Sequence, residues 1–309
     1  MRKFVCKSLL FLLPVLLLVV AAEVYMRSLP NSYRYKDEWM LRNGERVSTL
    51  LLGNSHGFFG LVPSEMGDSV FNLCSVSQRA REDYYLLQRY ASVCPHLHTV
   101  ILVADNSNLF DRPLVDEEPF RVTYYQLYMG DQSHSCLSRY GFEIASMQAC
   151  WEKLKKYHEI GGIGCDSLGW GTGYRFEDRD KESLKLDCVK PHTFNNREAT
   201  LTNAGYVKDI ARWCQQHQVR LVLLQTPVCK AYAAKTPVLQ RQYINALAED
   251  CRKEFGALLA DFSCDSSFTD DDFFDADHLN DVGARRFSRL LTEWCAAQSD
   301  SIETNSDKR

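Results

Sequence analysis

Short apolar runs alternating with helix-patterned segments predict an α/β fold, a three-layer α/β/α sandwich around a mostly parallel central sheet of about five strands. Two observations carry this expectation. The apolar runs are too short for helices and lack polar alternation, as in strands buried on both faces. In the last third of the chain, each run is followed by a segment with apolar residues at helical spacing. The composition, 45% hydrophobic and 25% charged over 309 residues, is that of a globular chain with a sizeable core.

In chain order, Ser48–Leu52 (STLLL) is the first strand, ending at Gly53, and Val70–Leu73 the second. Glu82–Ser92 carries Tyr84, Leu87, Tyr90 and Ala91 at helical spacing. Thr99–Ala104 is the third strand, and Val219–Gln225, stopped by Pro227, the fourth. Gly256–Phe262 is a short fifth. Asn203–His217, Val238–Phe255 and Val282–Ala297 are the later helices. Residues 111–200 break the rhythm. They are rich in aromatics and glycine, with GGIGCDSLGWGTGY at 161–174, and read as an insertion with helix over Cys136–His158 and long loops that shape a cleft. Met66 and Trp213 read as core.

The N-terminus departs from globular composition. Arg2, Lys3 and Lys7 precede an apolar run from Ser8 to Ala22. That run falls short of the ~20 residues that span a bilayer; extended over 4–26 it reaches that length but takes in Lys7 and Glu23. Two export readings stand, a signal anchor inserted through residues 4–26, or a signal peptide cleaved before Glu23 with Val20 and Ala22 as the small residues; a buried core helix is the bland alternative. In both, the basic flank places the chain beyond residue 30 on the non-cytoplasmic, periplasmic or extracellular side. No cysteine follows the run to carry a lipoprotein anchor. Residues 27–46 read as a linker or short ordered stem, 47–298 as the main domain, and 299–309 as a disordered tail.

A net charge of −4 with no long basic run excludes a nucleic-acid footprint. The 12 cysteines permit several disulfides in an exported chain, with at least one thiol left over. None forms a CxxC pair, so no metal site and no cofactor is expected. A thiol-dependent redox protein has only the cysteine count behind it.

Two motifs carry chemistry. Gly53-Asn54-Ser55-His56-Gly57 follows the first strand, where α/β sheets place their sites. The turn lifts Ser55 clear of the sheet and aims the next helix N-terminus at it, offering backbone N–H groups to an oxyanion. Taken alone it is a common strand–turn. Near the other end lies Phe274-Asp275-Ala276-Asp277-His278-Leu279-Asn280. A serine hydroxyl needs a base within hydrogen-bond reach, and the base needs an acceptor to fix its tautomer. His278 is the candidate base and Asp275 its orienting acid, with Asp277 as competitor. Taken alone, with Asp270, Asp271 and Asp272 upstream, this stretch is an acidic surface loop.

Together the two motifs resemble the SGNH (GDSL-like) hydrolase superfamily. GNSH matches the nucleophile block with Asn in place of Asp, and Asp275-x-x-His278 matches the last block. The DHLN-x-x-Gly continuation resembles exported esterase- and acyltransferase-like members that act on cell-envelope polysaccharides. The resemblance spans about residues 48–296 and implies a flavodoxin-like sheet order. It implies a serine esterase or O-acyltransferase acting on ester-linked acyl, typically acetyl, groups of an acylated carbohydrate through Ser55, His278 and Asp275. The family's oxyanion hole uses the nucleophile's own N–H, a Gly N–H after the second strand and an Asn side chain after the third. Here the second stretch reads FNLCSVS, with Ser75 or Ser77 at the Gly place, and the third offers Asn106, with Asn108 in reserve and Ala104 where the family has Gly. A non-catalytic envelope binding or assembly module on the same fold is the rival reading. His56 either contacts substrate or caps the helix. His134 and His192 read as surface residues. Trp151, Trp170, Tyr124 and Tyr125 read as packing, with a sugar-stacking surface as the alternative.

Overall fold

A computed structural model describes residues 2–185 and 196–306. His192 and Cys188 lie outside the described residues. In chain order the elements are α1 (Arg2–Ser28), α2 (Ser32–Asn43), β1 (Thr49–Leu52), α3 (Ser55–Gly60), β2 (Val70–Asn72), α4 (Ala80–Tyr90), β3 (Thr99–Val103), α5 (Asn106–Phe110), α6 (Leu114–Glu117), α7 (Pro119–Tyr128), α8 (Met147–Ile160), α9 (Arg197–Gln216), β4 (Arg220–Gln225), α10 (Lys230–Lys235), α11 (Val238–Phe255), β5 (Leu258–Asp261) and α12 (Asp281–Ser306), with short 3₁₀ turns between. They form two compact units: Trp39–Leu114 with Cys165–Arg309, and Met1–Glu38 with Val115–Gly164.

The larger unit is an α/β sandwich around a five-stranded parallel sheet of order β2-β1-β3-β4-β5. Alternate residues point to opposite faces. Leu51, Ile101, Val103, Val222 and Leu224 pack with Phe58, Phe59, Ala284, Phe287 and Leu291, so α3 and α12 cover that face. Leu50, Leu52, Val100, Leu102, Leu221 and Leu223, of opposite parity, are equally buried. Their face lies under α4, α9 and α11, which pack on one another. Right-handed crossovers require this division, because the chain leaves β1 leftward for β2 and then moves rightward through β3, β4 and β5. Truncating the fully buried Phe287 to Ala would cost about 3–5 kcal/mol. The reversal between β1 and β3 is the sheet's switch point, and the carboxyl ends of those strands flank the crevice where open α/β sheets place ligands.

Each strand lies within its expected run. The differences are at helices. Residues 32–43, expected as linker or stem, are helical; Asn31 Oδ1 accepts from Arg34 N at 2.9 Å at the helix start, and Met40 is fully buried. The helix expected from Asn203 begins at Arg197, because Asn196 caps it by accepting from Ala199 N at 3.1 Å. α12 runs past Ala297 into the stretch expected as a disordered tail. The expected Cys136–His158 helix is α8 preceded by 3₁₀ turns.

The insertion is divided between the units. Its 165–185 stretch returns to the larger unit and lies on α3: Trp170 Nε1 donates to Phe59 O at 2.7 Å and Gly171 N to Phe58 O at 2.8 Å. A Cβ on Gly171 would stand 2.6 Å from the Phe58 ring, so only glycine permits this approach. Trp170 is therefore core, as are Tyr124 and Tyr125 in the smaller unit, whereas Trp151 is exposed.

In the smaller unit the C-terminal part of α1 is held by the 3₁₀ turns before α8. Glu23 accepts from Glu143 N and Ile144 N, both at 3.1 Å, and Arg27 Nη2 donates to Gly141 O at 2.6 Å. Met26, Leu29 and Cys150 form a small apolar cluster. Buried Lys153 donates to Met26 O and Tyr128 Oη, each at 2.8 Å, and to Glu143. Leu10–Ser28 is long and apolar enough to cross a membrane, with a mean hydropathy of 2.1.

Cys94, Cys136, Cys150, Cys214, Cys229, Cys251 and Cys264 are thiols outside any disulfide. The pairing that an exported chain permits is not used at these positions. Burial pushes the Cys94 and Cys251 thiols up to about 11 and Cys214 up to about 12.

Candidate active site

The turn that carries Ser55 begins where β1 ends. Gly53 takes φ of +135°, and a Cβ there would stand 2.6 Å from Val103 Cβ on the neighbouring strand. Asn54 then caps α3, its Oδ1 accepting from His56 N at 2.9 Å, and sets Ser55 as the first helical residue. Asn54 Nδ2 donates to Asp105 Oδ1 at 2.8 Å, tying the end of β1 to the end of β3.

The opposing loop closes on itself. Phe273 and Leu279 form an antiparallel bridge, and Phe274 N donates to His278 O at 2.8 Å. Asp275 Oδ1 accepts from Asp277 N at 3.2 Å and His278 N at 2.9 Å, an Asx-type turn that fixes the loop before any chemistry is considered. Asn280 caps α12 through Val282 N and Gly283 N.

These two loops meet. His278 Nε2 lies 2.8 Å from Ser55 Oγ, and His278 Nδ1 lies 2.9 Å from Asp275 Oδ1 and 3.3 Å from Asp277 Oδ1. Both carboxylates that the sequence left as rivals thus face one ring nitrogen. Asp277 also reaches a second imidazole. Its Oδ2 is 3.2 Å from His56 Nε2, while His56 Nδ1 bonds Asp105. With a carboxylate on each ring nitrogen, His56 donates from both and is an imidazolium. Burial opposes that charge, but Asp105 and Asp277 outweigh it and hold His56 well above its usual range. Asn54 and not His56 is the helix cap, and the ring of His56 lies between two carboxylates. Burial likewise opposes charge on His278; the Asp277 and Asp275 carboxylates together outweigh it and push the imidazole up to about 9, against an opposing push from His56. Asp277 itself is held well below the carboxylate range: burial works the other way, but His278 and then His56 prevail.

A buried polar scaffold lies beneath. Asp105 Oδ1 also accepts from Asn108 N at 2.9 Å. Asn108 Nδ2 donates to Asp83 at 3.0 Å and Gln78 Nε2 to Asp83 at 2.6 Å. Burial pushes Asp83 up to about 7 despite these donors. Asn108, held in reserve as an oxyanion donor, is thus committed to the scaffold. The Ser75 amide donates to Gly53 O at 3.1 Å, a bond an oxyanion would have to replace. Asn106 follows the Asp105 cap at the start of α5, and its buried Oδ1 has no hydrogen-bond partner. With His56, Asp105, Gln225, Thr226, Tyr232 and Arg241 it lines a small cleft at the carboxyl ends of β3 and β4. Phe59, Tyr174 and Phe274 stack in series, with centroids 3.7 and 4.0 Å apart, and the Phe59 and Tyr174 rings meet His278 edge-on.

His56, Asp277 and His278 offer ligand atoms within 4.8 Å of one another. The imidazole nitrogens concerned already face carboxylates as proton donors, so a cation would displace those protons. Asp105 is the member that local reading missed. The available signal was an acidic residue directly after a buried strand at the switch point, opposite the Gly-Asn-Ser turn.

No protein-family model matches the chain, and no curated protein matches it. Among solved structures the chain is similar to a Streptococcus pneumonia protein provisionally described as a platelet activating factor. The identity is 10%, the match covers 91% of this chain and 98% of that one, and the TM-score is 0.41.

Proposed function

We propose that this protein is a serine esterase or O-acyltransferase of SGNH type, working through Ser55, His278 and Asp275. The observation that carries the reading is the line from Ser55 Oγ through both His278 nitrogens to Asp275, with separations of 2.8 and 2.9 Å. Neutral His278 takes the hydroxyl proton as Ser55 attacks an ester carbonyl. The oxyanion is held by the Ser55 N–H at the start of α3 and by the Asn106 amide. His278 then protonates the leaving alcohol, and water or a sugar hydroxyl takes the acyl group from Ser55. The substrate class is an ester-linked acyl group, acetyl first, on an envelope or extracellular carbohydrate, with α1 retained as a membrane anchor and the catalytic unit on the non-cytoplasmic side. The motif resemblance and the apolar helix support that assignment.

The rival binding-module reading draws on one observation: at neutral pH His278 carries the proton it would have to accept. The test is p-nitrophenyl acetate hydrolysis by the detergent-solubilised full chain beside Ser55→Ala, run at pH 7 and pH 9.5 with a serine-reactive fluorophosphonate as second probe. Turnover or labelling lost in Ser55→Ala sustains the enzyme. Equal, negligible signals in both proteins at both pH values sink it.

A further inference from the structure

We propose that Phe142, Met147 and Trp151 of the smaller unit form a second membrane contact, seated in the headgroup region of the bilayer that α1 enters. The proposal rests on the reading of α1 as a membrane helix and concerns a surface outside it.

The argument is one of register along α1. Gly141 O is bound by Arg27, and Glu143 N and Ile144 N by Glu23. The chain from 141 to 144 therefore descends α1 toward its apolar part. α8 then turns back. Cys150 packs on Met26 and Leu29, Lys153 Nζ reaches Met26 O, and Gly164 N donates to Ser32 Oγ at 3.1 Å. The first turn of α8 is thus the part of the helix nearest the membrane end of α1. Glu23 precedes the end of α1 at Ser28 by about 7–8 Å at 1.5 Å per residue. At that depth α1 itself is still apolar and uncovered, with Val20 50% and Val24 61% exposed.

At this same level the unit presents large apolar side chains to the outside. Met147 is 81% exposed, Trp151 69% and Phe142 41%. Met147 and Trp151 stand four residues apart on one face of α8. The opposite face is the buried one, carrying Ala149, Cys150 and Lys153. Exposed Gln148 and Glu152 adjoin them, which suits a polar headgroup layer and not the hydrocarbon interior. Tryptophan beside polar residues at the end of a membrane helix is the arrangement that interfacial anchoring favours. An exposed apolar face needs an occupant, and the bilayer is the one that α1 already brings to this depth.

The test uses the full chain reconstituted into phosphatidylcholine vesicles with brominated acyl chains near the headgroup, comparing tryptophan quenching in the wild type and Trp151→Phe. Trp151 is exposed, so the substitution leaves folding intact. The expected result is quenching in the wild type that is lost in Trp151→Phe, with both proteins resistant to alkaline carbonate extraction. Carbonate-resistant protein in which quenching is absent, or the same in both, overturns the surface and assigns that face to another occupant such as a protein. Release of the chain by carbonate overturns α1 as an anchor, and this contact with it.

Discussion

Two buried ionic clusters lie in this molecule, and they differ in what stands at their end. In the smaller unit Lys153 donates to Met26 O, Tyr128 and Glu143, so all three ammonium protons are used inside the cluster. Burial lowers its pKa. In the larger unit Asp105, His56, Asp277 and His278 form an open chain whose final nitrogen is aimed at a hydroxyl. Buried charge by itself marks structure; a buried ionic chain that ends on an imidazole facing a serine hydroxyl is the arrangement that chemistry can use.

The comparison breaks most sharply at the open end. Ser55→Ala or His278→Ala is expected to lower ester turnover by about 10⁴-fold or more, since members of a nucleophile–base pair fail as a unit. The unfolding midpoint should move little in Ser55→Ala, whereas His278→Ala removes a cation that faces Asp275 and Asp277 and should also lose stability, so its turnover is read per folded molecule. The closed cluster should behave in the opposite way. Lys153→Met leaves Glu143 charged, buried and short of a partner, at a cost of about 3–5 kcal/mol in denaturant unfolding. Turnover per folded molecule should stay the same. The double variant Lys153→Met/Glu143→Leu should recover much of the loss, because the orphaned charge is gone. A large turnover defect in folded Lys153→Met would erase the distinction between the clusters.

How much of this was legible follows from how local each signal is. STLLL, TVILVA and VRLVLLQ declare buried strands by themselves, and the strand–helix rhythm of the C-terminal third dictates a parallel sheet. Gly53 is readable because turn geometry acts over three or four residues. Pairing Ser55 with His278 across 223 positions depended on a motif resemblance and not on any local pattern. His56 had no such help. Its partners lie 49 and 221 residues away, and only the fold brings them together. α2 was missed because its apolar positions are sparse and its start depends on a cap at Asn31. The Ser75 amide could not be judged from sequence either, since its engagement by Gly53 O is a property of two neighbouring loops.

The pH dependence of turnover sharpens the comparison further. A base pushed up to about 9 is protonated at neutrality, so kcat/KM should climb with pH and level off only above about 9. At pH 7 about one hundredth of the plateau rate should remain. Asp277→Asn removes the carboxylate that does most to hold the proton on His278, and its limb should fall toward ~6.5 while Asp275 keeps the ring oriented. Neutral-pH turnover would then rise relative to the variant's own plateau. A limb that stays near 9 in Asp277→Asn would mean that Asp277 does not set the charge state of the base.

The smallest expected change has the opposite sign, which makes it the most discriminating. His56 is a cation whose ring centroid lies 4.5 Å from that of His278, and it pushes the base's pKa down. His56→Gln removes that repulsion and leaves Asp277 with one imidazole partner in place of two. The limb should therefore move upward from about 9, with little loss at the plateau. The variant should also be less stable at low pH. A histidine raised in the folded state contributes stability that is fully present below its unfolded value of ~6.5 and is lost as pH rises through the folded value. The stability gap between wild type and His56→Gln should consequently be widest in acid and close as the solution becomes basic. If instead the limb of His56→Gln moved down together with that of Asp277→Asn, His56 would be acting only to hold Asp277 in place, and its charge would have no part in setting the base.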